Sequence, residues 1–346
     1  MSNRGFLEDA ATRHQIYVER FAGGSLKALA VFLLRALTMA KSRVSDGLSA
    51  YGTARYDKQI AALHQDLLGV YSEMGDESLG QLRDFGVYEA TYNATLLGKA
   101  VKAVVQLNTP SPQIVSAAAL VQPMRLETGK RHAKLNIAGA LDQYGVKKSA
   151  EIVGEIRIGS ALGETSNQIA ARLNSMGVLQ RSQAEALTRT MTNHVATSAR
   201  TQTLQENADI LDGMRIIATL DSRTTILCAS LDQDVIALTD PGPPFHWNCR
   251  TTVVPVLKAE YARDIPGSTR PSKGADGVAP VNSKTSYPEW LARQPASFQK
   301  DVLGRTRYEL FSKGKLDIDK FVDNGRTLTL DQLREREPES FDRAGL

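Results

Sequence analysis

The chain has 346 residues, 42% hydrophobic and 23% charged, with 6% aromatics and only two cysteines. That length and balance exclude a disordered or collagen-like chain and leave room for a large core. Two cysteines exclude a disulfide framework. The net charge of +4 is too small and too dispersed for the basic stripe of a strong nucleic-acid binder.

The charge is uneven along the chain. Residues 1–150 carry +5, residues 151–257 carry −3 with eight arginines and no lysine, and the remainder carries +2. An arginine-only middle segment points to planar, two-pronged ion pairs. The amino terminus, MSNRGFLEDAATRHQ, has no apolar signal-peptide region. The early apolar run ALAVFLL (28–34) stops at Arg35, short of the ~20 residues of a spanning helix. The expectation is a protein made and kept in a reducing cytoplasm.

From about residue 8 to 107 the apolar spacing is helical. Ile16, Phe21, Leu26, Leu29, Phe32, Leu33 and Leu37 mark a first run, which Gly23 and Gly24 are expected to divide. A second helix is expected over about 53–74, and a third over about 78–107 ending near Val104. Residues 107–113, with two prolines, form a break. Residues 114–160 read as helix again, broken near Gly129. His14, His64 and His132 sit alone in polar surroundings and read as surface histidines.

In the middle segment, Thr165 or Ser166 caps a helix that Gly177 ends. A longer helix follows over about 182–208, with Leu187, Met191, Val195, Ala199 and Leu204 as its apolar stripe. Arg189, His194 and Arg200 flank it. Strands are expected at 213–221, 235–238 and 251–256, with Pro255 placing the last at a sheet edge.

Residues 219–256 concentrate the special chemistry: Cys228 and Cys249, His246 and Trp247, and Pro241, Pro243, Pro244 and Pro255. His246 and Cys249 have zinc-like spacing, and Cys228 closes in from a neighbouring turn. A fourth ligand would have to be Asp221, His194 or water. The same residues also allow a Cys228–Cys249 disulfide or a Cys249–His246 thiol nucleophile. The favoured reading is structural. Asp221 accepts local hydrogen bonds, Arg223 and Arg250 clamp acceptors, Asn248 makes a tight turn, and the cysteines fill the core. No catalytic residue, bound metal or cofactor is therefore expected, with Cys228, His246 and Cys249 as the only zinc candidates.

Three stretches in this order, LTRTMTNHVATSAR (187–200), TLDSRTTILCASLDQDV (219–235) and PPFHWNCRTTVVPV (243–256), resemble the Mu F-like phage head morphogenesis family, the minor head proteins. The residues that match are Arg189 and Thr190; Asp221, Arg223, Thr224 and Cys228; Leu231 and Asp232; and His246, Asn248, Cys249 and Arg250. Gln233 stands where the family has Gly, Trp247 where it has Pro, and Thr251 where it often has a further Cys. The resemblance implies a structural, non-enzymatic minor head protein of a tailed phage or prophage. Its implied partners are the portal protein, other capsid or scaffold proteins and packaged DNA without sequence specificity. Its implied place is the capsid interior, after assembly in the bacterial cytoplasm, with a role in head assembly, DNA packaging or DNA delivery. Two rivals stand beside it: a metal- or thiol-dependent hydrolase or toxin-like domain using Cys228, His246 and Cys249, and an ejected protein in which the 1–107 helices contact membrane or form a DNA channel.

Beyond residue 257, residues 258–285 are rich in Pro, Gly and Ser and read as a linker or extended arm. Capping boxes are expected at Ser286 with Glu289 and at Thr329 with Gln332. Trp290, Phe298, Val302, Leu303, Leu310 and Phe311 mark short helices. The run 287–322 resembles a carboxy-terminal module that follows the Mu F-like domain in some phage head proteins. The expected fold is α+β: a mainly helical amino-terminal half (1–150), a small antiparallel sheet packed on helices (the Mu F-like domain, 151–257), the arm, and a small helical docking module (286–346).

Overall fold

The computed structural model describes residues 4–102, 105–128, 131–262 and 268–346. Val104, Gly129 and residues 263–267 lie outside the described residues, as does the side chain of His132.

Two long helices, α1 (Arg4–Ser45) and α2 (Ala54–Ala100), form the amino-terminal half. Gly23 and Gly24 do not divide α1. Val18, Ala22, Leu26, Leu29, Leu33, Ala36, Ala40 and Val44 repeat at three or four residues and are all buried. Each buried Leu or Val contributes about 1.5–3 kcal/mol, which outweighs about 1 kcal/mol per helical glycine. The two helices expected over 53–74 and 78–107 are likewise one, α2, which carries an unbroken buried stripe from Tyr56 through Met74 and Leu82 to Leu97.

After a proline break, α3 (Pro112–Ser116) runs into a π-turn over 117–121. The expected continuation of helix is instead a hairpin of β1 (Met124–Thr128) and β2 (Arg131–Leu135). Met124 and Leu126 alternate into the core, a period of two that helix spacing cannot satisfy. Asn136 caps α4 (Ile137–Ala161).

Thr165 caps α5 (Ser166–Gln205) with a full capping box. This helix passes straight through Gly177. A Cβ there would stand 3.0 Å from Leu37 Cδ1, so the glycine admits the close crossing of α1 rather than ending the helix. α1, α2, α4 and α5 share one core, running from Val18 to Ala196. The middle segment therefore packs into the amino-terminal helices rather than beside them.

The expected antiparallel sheet follows. β3 (Leu211–Ile217) lies between β5 (Val235–Ile236) and the edge strand β6 (Thr252–Leu257), which carries Pro255. Between β3 and β5 come β4 (Leu220–Asp221) and the short helix α6 (Ile226–Ser230).

The segment read as an arm is a hairpin, β7 (Thr269–Gly274) and β8 (Gly277–Asn282), with β7 paired in parallel to β4. Its turn is Ala275-Asp276, followed by Gly277 at φ +97°. Arg270 and Ser272 are buried, so this stretch is part of the fold.

Both carboxy-terminal capping boxes form, at the starts of α7 (Tyr287–Ala292) and α10 (Leu330–Arg336). With α8 (Ala296–Leu303), α9 (Arg305–Ser312) and α11 (Pro338–Ala344), they enclose Trp290, Leu303, Leu310, Leu333 and Phe341. The same core includes Leu220 and Ala229. These apolar residues, which suit either docking on a partner or a mini-domain of their own, lie largely within this core.

His14 is not a surface histidine: it is buried, stacks on Tyr92 at 3.6 Å, and its Nε2 lies 2.6 Å from Glu89 Oε1. His194 is buried on α5. Burial lowers its pKa from 6.5 to about 4, against the backbone hydrogen bonds at Gln122 and Ala119, which raise it. The folded state therefore resists protonation. In this window the unfolded chain takes the proton first, so stability is complete above pH 6.5 and declines as pH falls towards 4. The loss approaches about 3 kcal/mol. Urea unfolding between these pH values, compared with His194→Gln, should show a stability difference that changes with pH; a constant difference would refute it.

Candidate functional site

The expected signature residues converge where α5, the β3–α6 segment and the proline-rich loop meet. Three polar ties hold them.

The first tie is α5 to the loop. Asn193 Nδ2 donates to the carbonyls of Cys249 (2.9 Å) and Thr251 (3.2 Å). The Asn248 amide donates to Thr190 Oγ1 at 3.0 Å. Asn248 has φ +60°, a left-handed position that Asn tolerates better than most residues. Arg189 acts elsewhere: it bridges Glu19 on α1 (2.5 Å) and Glu185 (2.7 Å). Asn193 went unnoticed in the sequence, because an asparagine amid helical residues carries no signal that its amide reaches a loop 56 residues away.

The second tie is Asp221. Arg250 grips it with both guanidinium nitrogens, at 2.5 and 2.8 Å, and the Arg223 amide donates to Oδ1 at 3.0 Å. Thr224 Oγ1 stands 3.3 Å from the same oxygen and donates to the Thr219 carbonyl. Burial raises the Asp221 pKa, but Arg250 outweighs it and holds the carboxyl below the usual range. The expectation that Arg223 and Arg250 both clamp holds only for Arg250. The Arg223 side chain is 71% exposed and 3.8 Å from Asp221. Arg250→Ala should therefore cost about 2–3 kcal/mol in chemical denaturation, since it strands a buried carboxylate. Arg223→Ala should stay within about 0.5 kcal/mol. Equal losses would contradict this division.

The third tie is Asp232, after α6. It accepts from the amides of Ala218 and Tyr287, both at 2.7 Å, and from Arg270 at 3.0 and 3.1 Å. Gln233 follows at φ +81°, which accounts for the glycine common at this turn.

Inside these ties lie Cys228, on the first turn of α6, and Cys249. Both are free and buried, with their sulfurs 3.7 Å apart. His246 Nε2 is 3.1 Å from Cys228 Sγ and 3.0 Å from Thr225 Oγ1. Its Nδ1 is 2.8 Å from the Trp247 carbonyl, an acceptor only, which assigns the ring proton to Nδ1 and leaves Nε2 an acceptor beside Thr225 Oγ1 and Cys228 Sγ. The hydrogen bond to Cys249 and burial push the Cys228 thiol up. Burial also acts upward on Cys249, yet its contacts with Cys228 and His246 hold it well below the usual thiol range. Neither expected fourth ligand joins them: Asp221 is committed to Arg250, and His194 faces the backbone of Ala119 and Gln122. Among the described residues, Cys228, His246 and Cys249 form a group whose ligand atoms all lie within 4.8 Å of one another.

Comparison with curated proteins and with solved structures yields no match. The ties described above lie mostly within one stretch, from the end of α4 to β6, and it is this stretch, residues 150–254, that matches the family described as Phage Mu protein F like protein.

Proposed function

We propose that the protein is a minor head protein of a tailed phage or prophage. In this reading it associates with the portal inside the capsid, assembles in the bacterial cytoplasm, and serves head assembly, DNA packaging or DNA delivery. The observation that carries it is the family match over residues 150–254. The geometry agrees in kind. Arg189, Arg250, Asp221 and Asp232 are consumed by internal ties, as in a scaffold, and the reading asks no reaction of them. The hydrolase or toxin-like rival would need turnover from Cys249 and His246.

The test is co-expression with the portal and scaffold proteins of the same phage, followed by affinity capture and reconstruction of the assembled heads. A few copies bound at the portal vertex support the reading. Heads that form and package normally without the protein, and never contain it, refute it.

One observation favours the ejected, membrane-contacting alternative. Helix α1 is long and apolar enough to cross a bilayer by length and composition, although a third of its apolar window is buried in the fold. Val31 and Leu34 on α1 and Val178 and Leu179 on α5 are exposed, close to the Leu37–Gly177 crossing. Flotation of the full chain with anionic vesicles, abolished by Leu34→Glu with Val178→Glu, would favour that alternative.

A further inference from the structure

The geometry around α6 points to a metal staple: we propose that Cys228 Sγ, Cys249 Sγ and His246 Nε2 bind one zinc ion, with water in the fourth position, tying α6 to the proline-rich loop. This inference does not rest on the phage-head reading.

The distances carry it. Zinc bonds sulfur at about 2.3 Å and imidazole nitrogen at about 2.0–2.1 Å in a tetrahedron. Two sulfurs on one tetrahedral zinc are then about 3.8 Å apart, and sulfur and nitrogen about 3.6 Å apart. The two cysteine sulfurs stand 3.7 Å apart, on that edge. Cys228 Sγ and His246 Nε2 stand 3.1 Å apart, a gap that a small turn of the imidazole opens. Ordinary core cysteines have no need of an imidazole nitrogen 3.1 Å from one sulfur and clustered with the other.

The surrounding contacts are those that fix ligands. His246 Nδ1 donates to the Trp247 carbonyl, which sets the tautomer and the ring plane. The Cys249 amide donates to the His246 carbonyl at 3.2 Å, closing the turn between the two. Asn193 holds the Cys249 carbonyl from α5, and the Thr225 cap places Cys228. The site is therefore formed before metal arrives. On binding, zinc displaces the thiol protons, which leave to solvent, so that two thiolates and a neutral imidazole face the ion. Thr251, whose hydroxyl lies by the Cys228 sulfur, borders the remaining position. A neutral hydroxyl is a poor zinc ligand, and His246 is only half buried, so water reaches that position from the His246 side.

The full chain, produced in zinc-supplemented medium and purified without chelator, should carry close to one zinc per chain by mass spectrometry of the metal. Cobalt in its place should give the visible bands of a tetrahedral thiolate site. His246→Gln should weaken zinc at least about tenfold. Thr251→Cys should tighten it by a similar factor by supplying a third sulfur, and it requires no loss of core packing. Removing zinc with a chelator should lower the melting temperature by several degrees, restored by zinc alone. The proposal fails if cooperatively folding protein holds less than about one zinc in ten chains. It fails equally if cobalt gives no tetrahedral spectrum, or if bound zinc is indifferent to both His246→Gln and Thr251→Cys.

Discussion

Arg270→Ala is expected to destabilise the protein by about 3–5 kcal/mol, enough to threaten folding at 37 °C. Both Arg270 and Asp232 have side chains with no exposure at all. Arg270 donates to both oxygens of Asp232 and to the carbonyls of Thr285 and Ala218. Removing it leaves a buried carboxylate whose other donors are two backbone amides, and leaves those carbonyls short of a donor. A cavity the size of an arginine adds to the loss. Asp232→Asn should cost less than Asp232→Ala, because a side-chain oxygen still accepts from Ala218 or Tyr287. Adding Arg270→Met to Asp232→Asn should cost less than the sum of the two single changes, since neither then strands a charge. Guanidinium unfolding of the set decides it. If Arg270→Ala lowers stability by no more than a surface arginine does, the hairpin is not anchored as described.

Arg270 also shows where the sequence is silent. It lies in a stretch whose Pro, Gly and Ser content reads as an arm. Nothing local to Thr269-Arg270-Pro271 announces that its partner is Asp232, 38 residues earlier. The one local sign is Gly277, whose positive φ directly after Asp276 suits the end of a hairpin turn. What was legible is what short-range chemistry decides. The capping boxes at Thr165, Ser286 and Thr329 form because cap and partner are three residues apart. The edge position of β6 follows from the missing amide of Pro255. The α+β class follows from apolar period. The glycine readings failed because Gly23, Gly24 and Gly177 act through tertiary packing, where a long buried stripe outweighs local propensity. At the site, family resemblance singled out Asp221, Asp232, Cys228, His246 and Cys249, but the partners that give them meaning, Asn193 and Arg270, are distant in sequence. The resemblance also made Arg223 and Arg250 look alike, and only burial separates them.

The same rule, partners far apart in sequence, makes Arg200→Met the second variant with a large expected effect, again about 3–5 kcal/mol. Arg200 on α5 is buried, and burial lowers its pKa, with Glu89 opposing. Its Nε donates to Asn93 Oδ1 at 2.8 Å on α2, and Nη1 donates to Thr252 Oγ1 on β6. Nη2 faces Glu89 at 3.9 Å, and Glu89 in turn holds His14 of α1. This one network joins α1, α2, α5 and the edge strand of the sheet, so it sets how the helices and the sheet sit together. Met keeps much of the arginine's volume, so the loss reports charge and hydrogen bonds rather than a cavity. Glu89→Gln alone should cost several kcal/mol for the same reason, with Arg200 left as a buried cation. The double variant Arg200→Met/Glu89→Gln should recover a good part of the summed loss, giving a coupling energy of about 1–3 kcal/mol in a double-mutant cycle. Strict additivity would mean that the 3.9 Å approach carries no interaction and that Arg200 acts only through Asn93 and Thr252. Recovery would establish the buried Glu89–Arg200 pair as the joint between the helical half and the sheet.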